Sequence, residues 1–413
     1  MKAVEIFSGC GGLALGTAQA GFEHLAVVEL DAYACETIRE NQKRQHPLVK
    51  HSPLHEIDVR EFDYSKLPRD VDLLCAGLPC QPFSLGGKAK AYRDNRDMFS
   101  EVVRAARELR PKAILIENVK GLIRSTFKTY FDYLLLAIAS PGLARVSRQG
   151  WKKHFDTLRQ REEDGTTDDL KYDLHVHAVN AADFGVPQWR ERVLIVAFRS
   201  DLKVRWNPPQ PTHGLDELLW SQWRSGDYWK RHGLVRQRPG LMSRRLAQRL
   251  AIVKQRDELD GSCAPWRTVR DAIEDLPKPT RSREDGVRNH RLRSGARAYD
   301  GHQGSFLDEP AKTLKAGSHG VPGGENSVAF GRGKLRYFTI RECARLQTFP
   351  DDYLIAGPWT RAMRQIGNAV PVLLGRTMAE HIRNHLAKLQ TPATSPRKII
   401  DFPSRSLTTR KAG

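Results

Sequence analysis

Three features predict an α/β fold, a Rossmann-like domain on a parallel sheet that carries a second, smaller domain. Short apolar runs alternate with helical stretches, a glycine-rich turn follows the first run, and the text turns abruptly basic in mid-chain. The 413 residues suffice for such a pair. Ala3 to Phe7, Leu25 to Leu30, Val71 to Ala76 and Ala113 to Ile116 have the length and composition of buried strands, and Arg192 to Phe198 is another. From Lys203 to Asp300 the chain is rich in Arg, Pro and Trp, with 21 Lys and Arg against 12 Asp and Glu. Helices are expected there only near Ser243 to Arg256 and Thr268 to Asp275. The glycines and proline of Lys315 to Glu325 require a loop. Helical signals return at Thr339 to Leu346, where Thr339 and Glu342 have capping-box spacing, and at Pro371 to Leu389. The expected division is 1–202 with 336–390, a basic module at 203–335, and a basic, disordered tail at 391–413.

A net charge of +19 and a pI near 9.8 point to a polyanionic partner, because Lys and Arg that neutralise phosphates release condensed counterions. Nucleic acid is the first candidate. Six cysteines scattered through the chain lack the density of a disulfide scaffold and read as reduced thiols. The first residues break into glycine too soon for a signal peptide, and no stretch is apolar for long enough to cross a membrane. A soluble, intracellular protein without internal repeats is expected.

Phe7-Ser-Gly-Cys-Gly-Gly-Leu-Ala14 follows a strand and opens a helix, so Gly9, Gly11 and Ala14 stand at the spacing of a nucleotide-binding turn. Glu29, ending the next strand, is placed to accept hydrogen bonds from ribose hydroxyls. The pair suits a dinucleotide, a flavin or S-adenosylmethionine. The strand Val71 to Ala76 runs into Gly-Leu-Pro79-Cys80-Gln-Pro-Phe-Ser84, which puts a thiol beyond the carboxyl end of a parallel strand, where open α/β sheets bind ligands. Its thiolate fraction is strongly nucleophilic. A metal shared with Cys75 is a weak alternative, for no second Cys or His pair has zinc spacing.

Glu117-Asn118-Val119 ends another strand at the same edge. Desolvation by apolar walls would favour the neutral form of Glu117, suiting a proton donor to a ring nitrogen. Gln188, Arg190 and Arg192 alternate just before Val193, which places them on one face with Glu191 opposite. Two guanidinium groups side by side would call for an anion or a carbonyl.

With these segments in order the chain resembles the DNA cytosine-5 methyltransferase family. The Gly-rich turn is similar to its cofactor motif, Pro79-Cys80-Gln81 to its catalytic loop, Glu117-Asn118-Val119 to its acid motif and Gln188-x-Arg190-x-Arg192 to its arginine motif. Arg341-Glu342-Cys-Ala-Arg345-Leu-Gln347-Thr-Phe-Pro350 and Gly367-Asn368-Ala-Val370-Pro371 resemble the motifs that close the catalytic domain. The similarity covers about 1–200 and 335–390, leaving 203–335 where the family keeps its target-recognition domain; Ile123 to Lys171 matches nothing clear.

The resemblance implies an S-adenosylmethionine-dependent enzyme that turns a cytosine out of duplex DNA. Cys80 would attack ring carbon 6, Glu117 would hydrogen-bond or protonate N3, Arg192 would hold the base carbonyl, and Arg190 and Gln188 would brace the site. Phe7, Gly9, Gly11, Gly12 and Leu13 would surround the cofactor's methionine end and Glu29 its ribose. Asp58 would meet the adenine amine, and Pro79, Asn368 and Val370 would complete the pocket. Ser84 to Met98 resembles the family's mobile flap, with Ser84 and Lys88 meeting DNA, and Thr313 lies in a segment similar to a Thr-Leu element of recognition domains. No metal is required. A restriction-modification enzyme follows, cytoplasmic or nucleoid-associated, monomeric, bacterial or phage-encoded, with double-stranded DNA and a cognate endonuclease as partners. The rivals are an RNA cytosine-5 methyltransferase, a nicotinamide or flavin oxidoreductase and a catalytically silent DNA-binding relative.

Overall fold

The computed structural model describes residues 1–79, 98–145, 150–165, 169–234, 242–259, 261–281, 286–297, 303–316, 326–331 and 334–390. The amino-terminal half alternates strands and helices: Lys2–Ile6 (β1), Gly12–Gln19 (α1), Glu23–Glu29 (β2), Ala32–Lys43 (α2), Leu54–Glu56 (β3), Leu73–Gly77 (β4), Phe99–Leu109 (α3), Ala113–Val119 (β5), Lys128–Ala139 (α4), Trp151–Glu163 (α5), Tyr172–Asn180 (β6) and Glu191–Arg199 (β7). Short elements follow: His213–Gly214 (β8), Leu215–Trp223 (α6), Asp227–Arg231 (α7), Arg244–Val253 (α8), Ala264–Pro265 (β9), Val269–Ile273 (α9), Ser305–Phe306 (β10), Ser327–Gly331 (β11) and Lys334–Tyr337 (β12). Three helices close the chain: Ile340–Leu346 (α10), Trp359–Asn368 (α11) and Val372–Gln390 (α12).

Strands β1 to β7 form one seven-stranded sheet in the order β3-β2-β1-β4-β5-β7-β6. Successive residues face opposite sides, so each central strand feeds two cores. Val4, Ile6, Leu74, Ala76, Ile114 and Ile116 pack with Val102 of α3 and Leu134 of α4. Ala3, Leu73, Cys75, Leu115, Leu194 and Val196 pack with Leu13 of α1 and with Leu374, Met378 and Ile382 of α12. The return of the carboxyl-terminal helix to the sheet is as the sequence predicts.

One expectation is corrected, and one open stretch is filled. The sheet is mixed rather than parallel, because β7 pairs antiparallel with both β5 and β6. The stretch Ile123 to Lys171, which matched nothing, holds α4 and α5. Strands β3 and β6 went unread; β3 spans three residues, and β6 interleaves Leu174, Val176 and Ala178 with His175 and His177.

Within 203–335, Leu218, Leu219, Trp223, Tyr228, Trp229, Leu246, Leu250, Val253 and Trp266 form a separate aromatic-rich core. Val269, Ile273, Ala311, Leu314 and Val328 instead join a cluster with Phe338, Leu346, Phe349 and Ile366. Thr268 and Thr339 cap α9 and α10 with reciprocal capping boxes, the second as its spacing predicts. The flap residues up to 97, most of the Gly-rich loop (317–325) and the tail 391–413 lie outside the described residues.

Helices α1 and α12 meet at glycine. A Cβ on Gly16 would lie 2.6 Å from the Arg376 nitrogen and 2.7 Å from the Val372 carbonyl, both backbone atoms that cannot swing aside. Gly16→Ala should therefore destabilise by about 1–3 kcal/mol through overpacking. Gly150→Ala, with open space around its Cβ at the N-cap of α5, is the control; chemical denaturation of both should show much the larger loss in the first.

Candidate active site

The carboxyl ends of β1 to β5 share one rim because these strands run parallel. The sheet order reverses direction between β1 and β4, the place where ligands settle in such sheets. Strand β7, running the other way, brings its first residues to the same rim.

After β1 the chain turns through left-handed backbone at Phe7 (φ 58°), Gly9 (φ 55°) and Gly11 (φ 90°). The Gly9 N–H donates to Glu29 Oε2 at 2.7 Å, and Glu29 Oε1 accepts from the N–H groups of Leu30 at 2.9 Å and Asp31 at 2.7 Å. Three of the carboxylate's roughly four acceptor positions are thus taken by backbone. Burial pushes the Glu29 carboxyl up, against the lowering effect of these bonds.

Gly9 and Gly12 of the turn do different work. A Cβ on Gly9 would meet nothing within 4 Å, so this side of the turn is open. On Gly12 it would lie 2.3 Å from the Val370 carbonyl, so Gly12 serves the approach of the 369–370 backbone, and Leu13 beside it is buried in the core. At the end of β4, a Cβ on Gly77 would sit 3.4 Å from the Phe7 carbonyl and 3.7 Å from Val370 Cγ2, so these three residues converge. Asn368 is exposed at the end of α11. Asp58 lies two residues beyond β3, after Ile57, whose N–H donates to the Glu29 carbonyl at 3.0 Å. Its carboxylate caps a short turn and pairs with the Arg60 guanidinium, which holds it below the usual carboxylate range.

Beyond β4 the Leu78 N–H donates to the Glu117 carbonyl at 3.3 Å, and Pro79 follows, exposed. In the antiparallel register Glu117 stands opposite Leu194 and Val119 opposite Arg192, so Glu117 and Arg192 are diagonal neighbours on one face. Arg192 Nε lies 2.6 Å from Glu117 Oε1, an ion pair without hydrogen-bond alignment, and both side chains are buried. The neighbour of Glu117 is therefore a guanidinium and not the apolar wall that the sequence suggested. Arg192 Nη1 also donates to the Glu191 carbonyl at 2.7 Å. Buried Asn118, facing the other side, has no partner for its Nδ2 among the described residues.

Of the anion or carbonyl that the two guanidinium groups call for, Arg190 takes carbonyls. Arg190 is 1% exposed, and its Nη2 donates to the carbonyls of Gly367 at 3.0 Å and Ala369 at 2.8 Å. Its Nη1 reaches Gln188 Oε1 and the Leu314 carbonyl, each at 3.4 Å. Gln188, fully buried, accepts the Leu314 N–H at 2.9 Å and donates to Gln347 Oε1 at 3.0 Å and the Leu346 carbonyl at 3.2 Å. Gln188 and Arg190 thus fasten the lead-in of β7 to the 314 segment and to both closing motifs. Glu191 faces away and pairs with Lys120 at 2.8 Å.

Thr313 donates its hydroxyl to the Trp189 carbonyl at 2.6 Å. Two partners escaped the sequence reading. Gln347 also donates to the Ile366 carbonyl at 2.7 Å, and the Tyr353 hydroxyl donates to the Cys10 carbonyl at 2.9 Å from 343 residues away, a separation no local pattern signals. Cys80, Ser84 and Lys88 lie outside the described residues. Burial pushes the Cys10 thiol up to about 12 and the Cys75 and Cys343 thiols well above the ordinary value, which leaves them unreactive at neutral pH.

Residues 1–142 and 164–384 match the family model of the C-5 cytosine-specific DNA methylases. The chain belongs to this family. The methyltransferase is 30% identical over 386 residues to the type II methyltransferase M.PspPI of a Psychrobacter strain, spanning 92% of this chain and 78% of that protein. It is 26% identical to the type II methyltransferase M.HhaI of Haemophilus parahaemolyticus, over 94% and 95% of the two chains. Its fold is that of the solved Spodoptera frugiperda DNMT2 structure, with a TM-score of 0.55 at 16% identity over 92% of this chain and 99% of that one. It is a DNA cytosine-5 methyltransferase, which sets the oxidoreductase reading aside. Among the described residues no cluster of metal-ligating side chains occurs, and no helix is long and apolar enough to cross a membrane.

Arg190→Lys in the methyltransferase should not restore what Arg190→Ala removes, because one ammonium placed at the Gly367 and Ala369 carbonyls cannot also reach Gln188 Oε1 and the Leu314 carbonyl, which the planar fork touches through its other arm. Each substitution is expected to cost about 3 kcal/mol or more in urea unfolding, given the charged hydrogen bonds lost.

Proposed function

We propose that this methyltransferase moves a methyl group from S-adenosylmethionine to carbon 5 of a cytosine turned out of a specific duplex DNA sequence, through a covalent adduct of Cys80. The observation that carries the reading is the convergence at one rim of the Glu117–Arg192 pair, the Pro79 lead-in to Cys80 and the Gly-rich turn closed by Val370.

The residues present fit the cofactor. The open side of Gly9 admits a ligand against the backbone, and Glu29 keeps about one acceptor position for a ribose hydroxyl. Phe7, Gly11, Gly12 and Leu13 shape the turn, Asp58 stands beyond the next strand towards the adenine, and Pro79, Asn368 and Val370 border the methionine end. The cofactor supplies an electrophilic methyl group on a sulfonium.

In this scheme the Cys80 thiolate adds to carbon 6 of the base, and the electron pair displaced towards carbon 5 makes that carbon nucleophilic. Glu117 supports the addition by hydrogen bonding or protonating N3, and Arg192 holds the carbonyl at position 2. After methyl transfer the proton leaves carbon 5, the pair reforms the ring double bond, and the sulfur of Cys80 departs. Gln188 and Arg190 act one step back, holding the strand that presents Arg192.

The segment 203–335 is assigned as the target-recognition domain, with Thr313, Ser84 and Lys88 on the DNA side, and 1–202 with 336–390 as the catalytic domain. The enzyme is assigned as a monomer. The family match favours DNA over RNA, and type II relatives favour a companion endonuclease reading the same sequence.

Expressing the enzyme and bisulfite-sequencing the host DNA should reveal one methylated sequence context; unmethylated DNA beside methylated transfer RNA would reverse the substrate. Cys80→Ser is expected to abolish turnover while retaining duplex binding, and methylation by that variant would reject the covalent scheme. Glu117→Gln should slow single-turnover transfer by about two to four powers of ten, as loss of general acid help does.

A further inference from the structure

Trp189 stands between Gln188 and Arg190, and the mechanism leaves it without a task. Its backbone N–H donates to the Ala311 carbonyl at 2.7 Å, and its carbonyl accepts the Thr313 hydroxyl at 2.6 Å. The indole meets Trp266 edge to face at 4.9 Å between centroids, and Trp266 is itself anchored by its Nε1 donating to Asp183 Oδ1 at 3.1 Å. The guanidinium carbon of Arg245, on the first turn of α8, stands 3.5 Å from the centre of the Trp189 ring. At van der Waals separation a planar guanidinium approaches the ring only with its own face, so its N–H donors project sideways along the ring plane.

The surroundings of Arg245 lack what a structural arginine usually has. It is exposed, and among the described residues no carboxylate stands within ion-pair distance of it. Neighbouring cations are consumed: Arg249 and Arg256 both pair with Asp216, at 2.6 and 2.8 Å. The first turn of α8 holds no acid, and the carboxylate nearest its start, Glu309, is occupied in accepting the Ser243 N–H at 2.6 Å. A cation at the positive end of a helix is mildly unfavourable, yet here it is held flat and ready on an aromatic platform.

We infer that Arg245 is a DNA-phosphate contact, and that Trp189 is the positioning residue that couples this contact to the Gln188–Arg190 brace behind the catalytic rim. The inference rests on the duplex-DNA reading above. A phosphate oxygen accepts from the sideways donors of Arg245 while stacking keeps the guanidinium from wandering, which lowers the ordering cost of the contact. Because Trp189 precedes Arg190 directly, backbone engagement outside the pocket sets the strand entry that presents Arg192 within it.

The test uses the full-length enzyme, a fluorescent duplex containing its methylation site, and binding measured across a range of salt. Removing one phosphate contact lowers the slope of log affinity against log salt by about 0.9 and weakens binding roughly tenfold near 0.1 M salt. Arg245→Ala is expected to show both changes while cofactor affinity stays at the wild-type value; an unchanged slope overturns the proposal. Trp189→Phe should keep the slope, because the aromatic platform survives. Trp189→Ala should lose it and also slow methyl transfer from the preformed complex. A Trp189→Ala enzyme with wild-type slope and rate overturns the coupling. Should wild-type enzyme bind no duplex at any salt, the DNA reading itself fails, a result distinct from a wild-type slope in Arg245→Ala.

Discussion

The direction of one strand governs the site. Had β7 run parallel like its neighbours, Arg192 would begin the strand at the far edge of the sheet, a strand's length from Glu117. Inserted in reverse between β5 and β6, β7 delivers its first residue to the rim where the other strands end, and the register makes Arg192 the diagonal neighbour of Glu117. Two buried charges then meet at 2.6 Å across the β5–β7 strand pair. Isolated burial of either charge would be costly, so each holds the other in place.

Around that pair the buried arginines divide their duties. Arg190 and Arg341 both direct their guanidinium groups to main-chain carbonyls, Arg190 to Gly367 and Ala369, and Arg341 to Arg288, Pro350 and Tyr353. A carbonyl carries only a partial charge, so a guanidinium surrounded by several is satisfied without a full counter-charge in contact, and for Arg341 the Asp351 carboxylate stands 3.9 Å off. Such residues knit irregular segments that make few ladder bonds of their own. The closing motifs of the chain are segments of this kind, and Gln188, Gln347 and Arg190 form their common junction.

Much of this could be read from the text because it is local. Apolar runs gave away β1, β2, β4, β5 and β7, the Thr339–Glu342 spacing gave the cap of α10, and the glycines gave the turn after β1. Strand direction was not legible, since an antiparallel strand buried on both faces has the same composition as a parallel one. The use made of each glycine also escaped, because a glycine spared for a ligand and one spared for Val370 look alike in sequence. The partners of Arg190 lie as far as 179 residues away, which is why the sequence left open whether the two neighbouring arginines meet an anion or carbonyls.

The glycine contact between the first and last helices has a consequence for biosynthesis. The turn after β1 is made within the first dozen residues, yet its shape leans on Val370, and α1 is seated only when Val372 and Arg376 arrive. Contacts of such long sequence separation form late, and a chain emerging from the ribosome builds its amino-terminal strands well before these partners exist. The turn after β1 is therefore finished only once residues 370–376 have been made, so that a nascent chain stopping short of them lacks its backing.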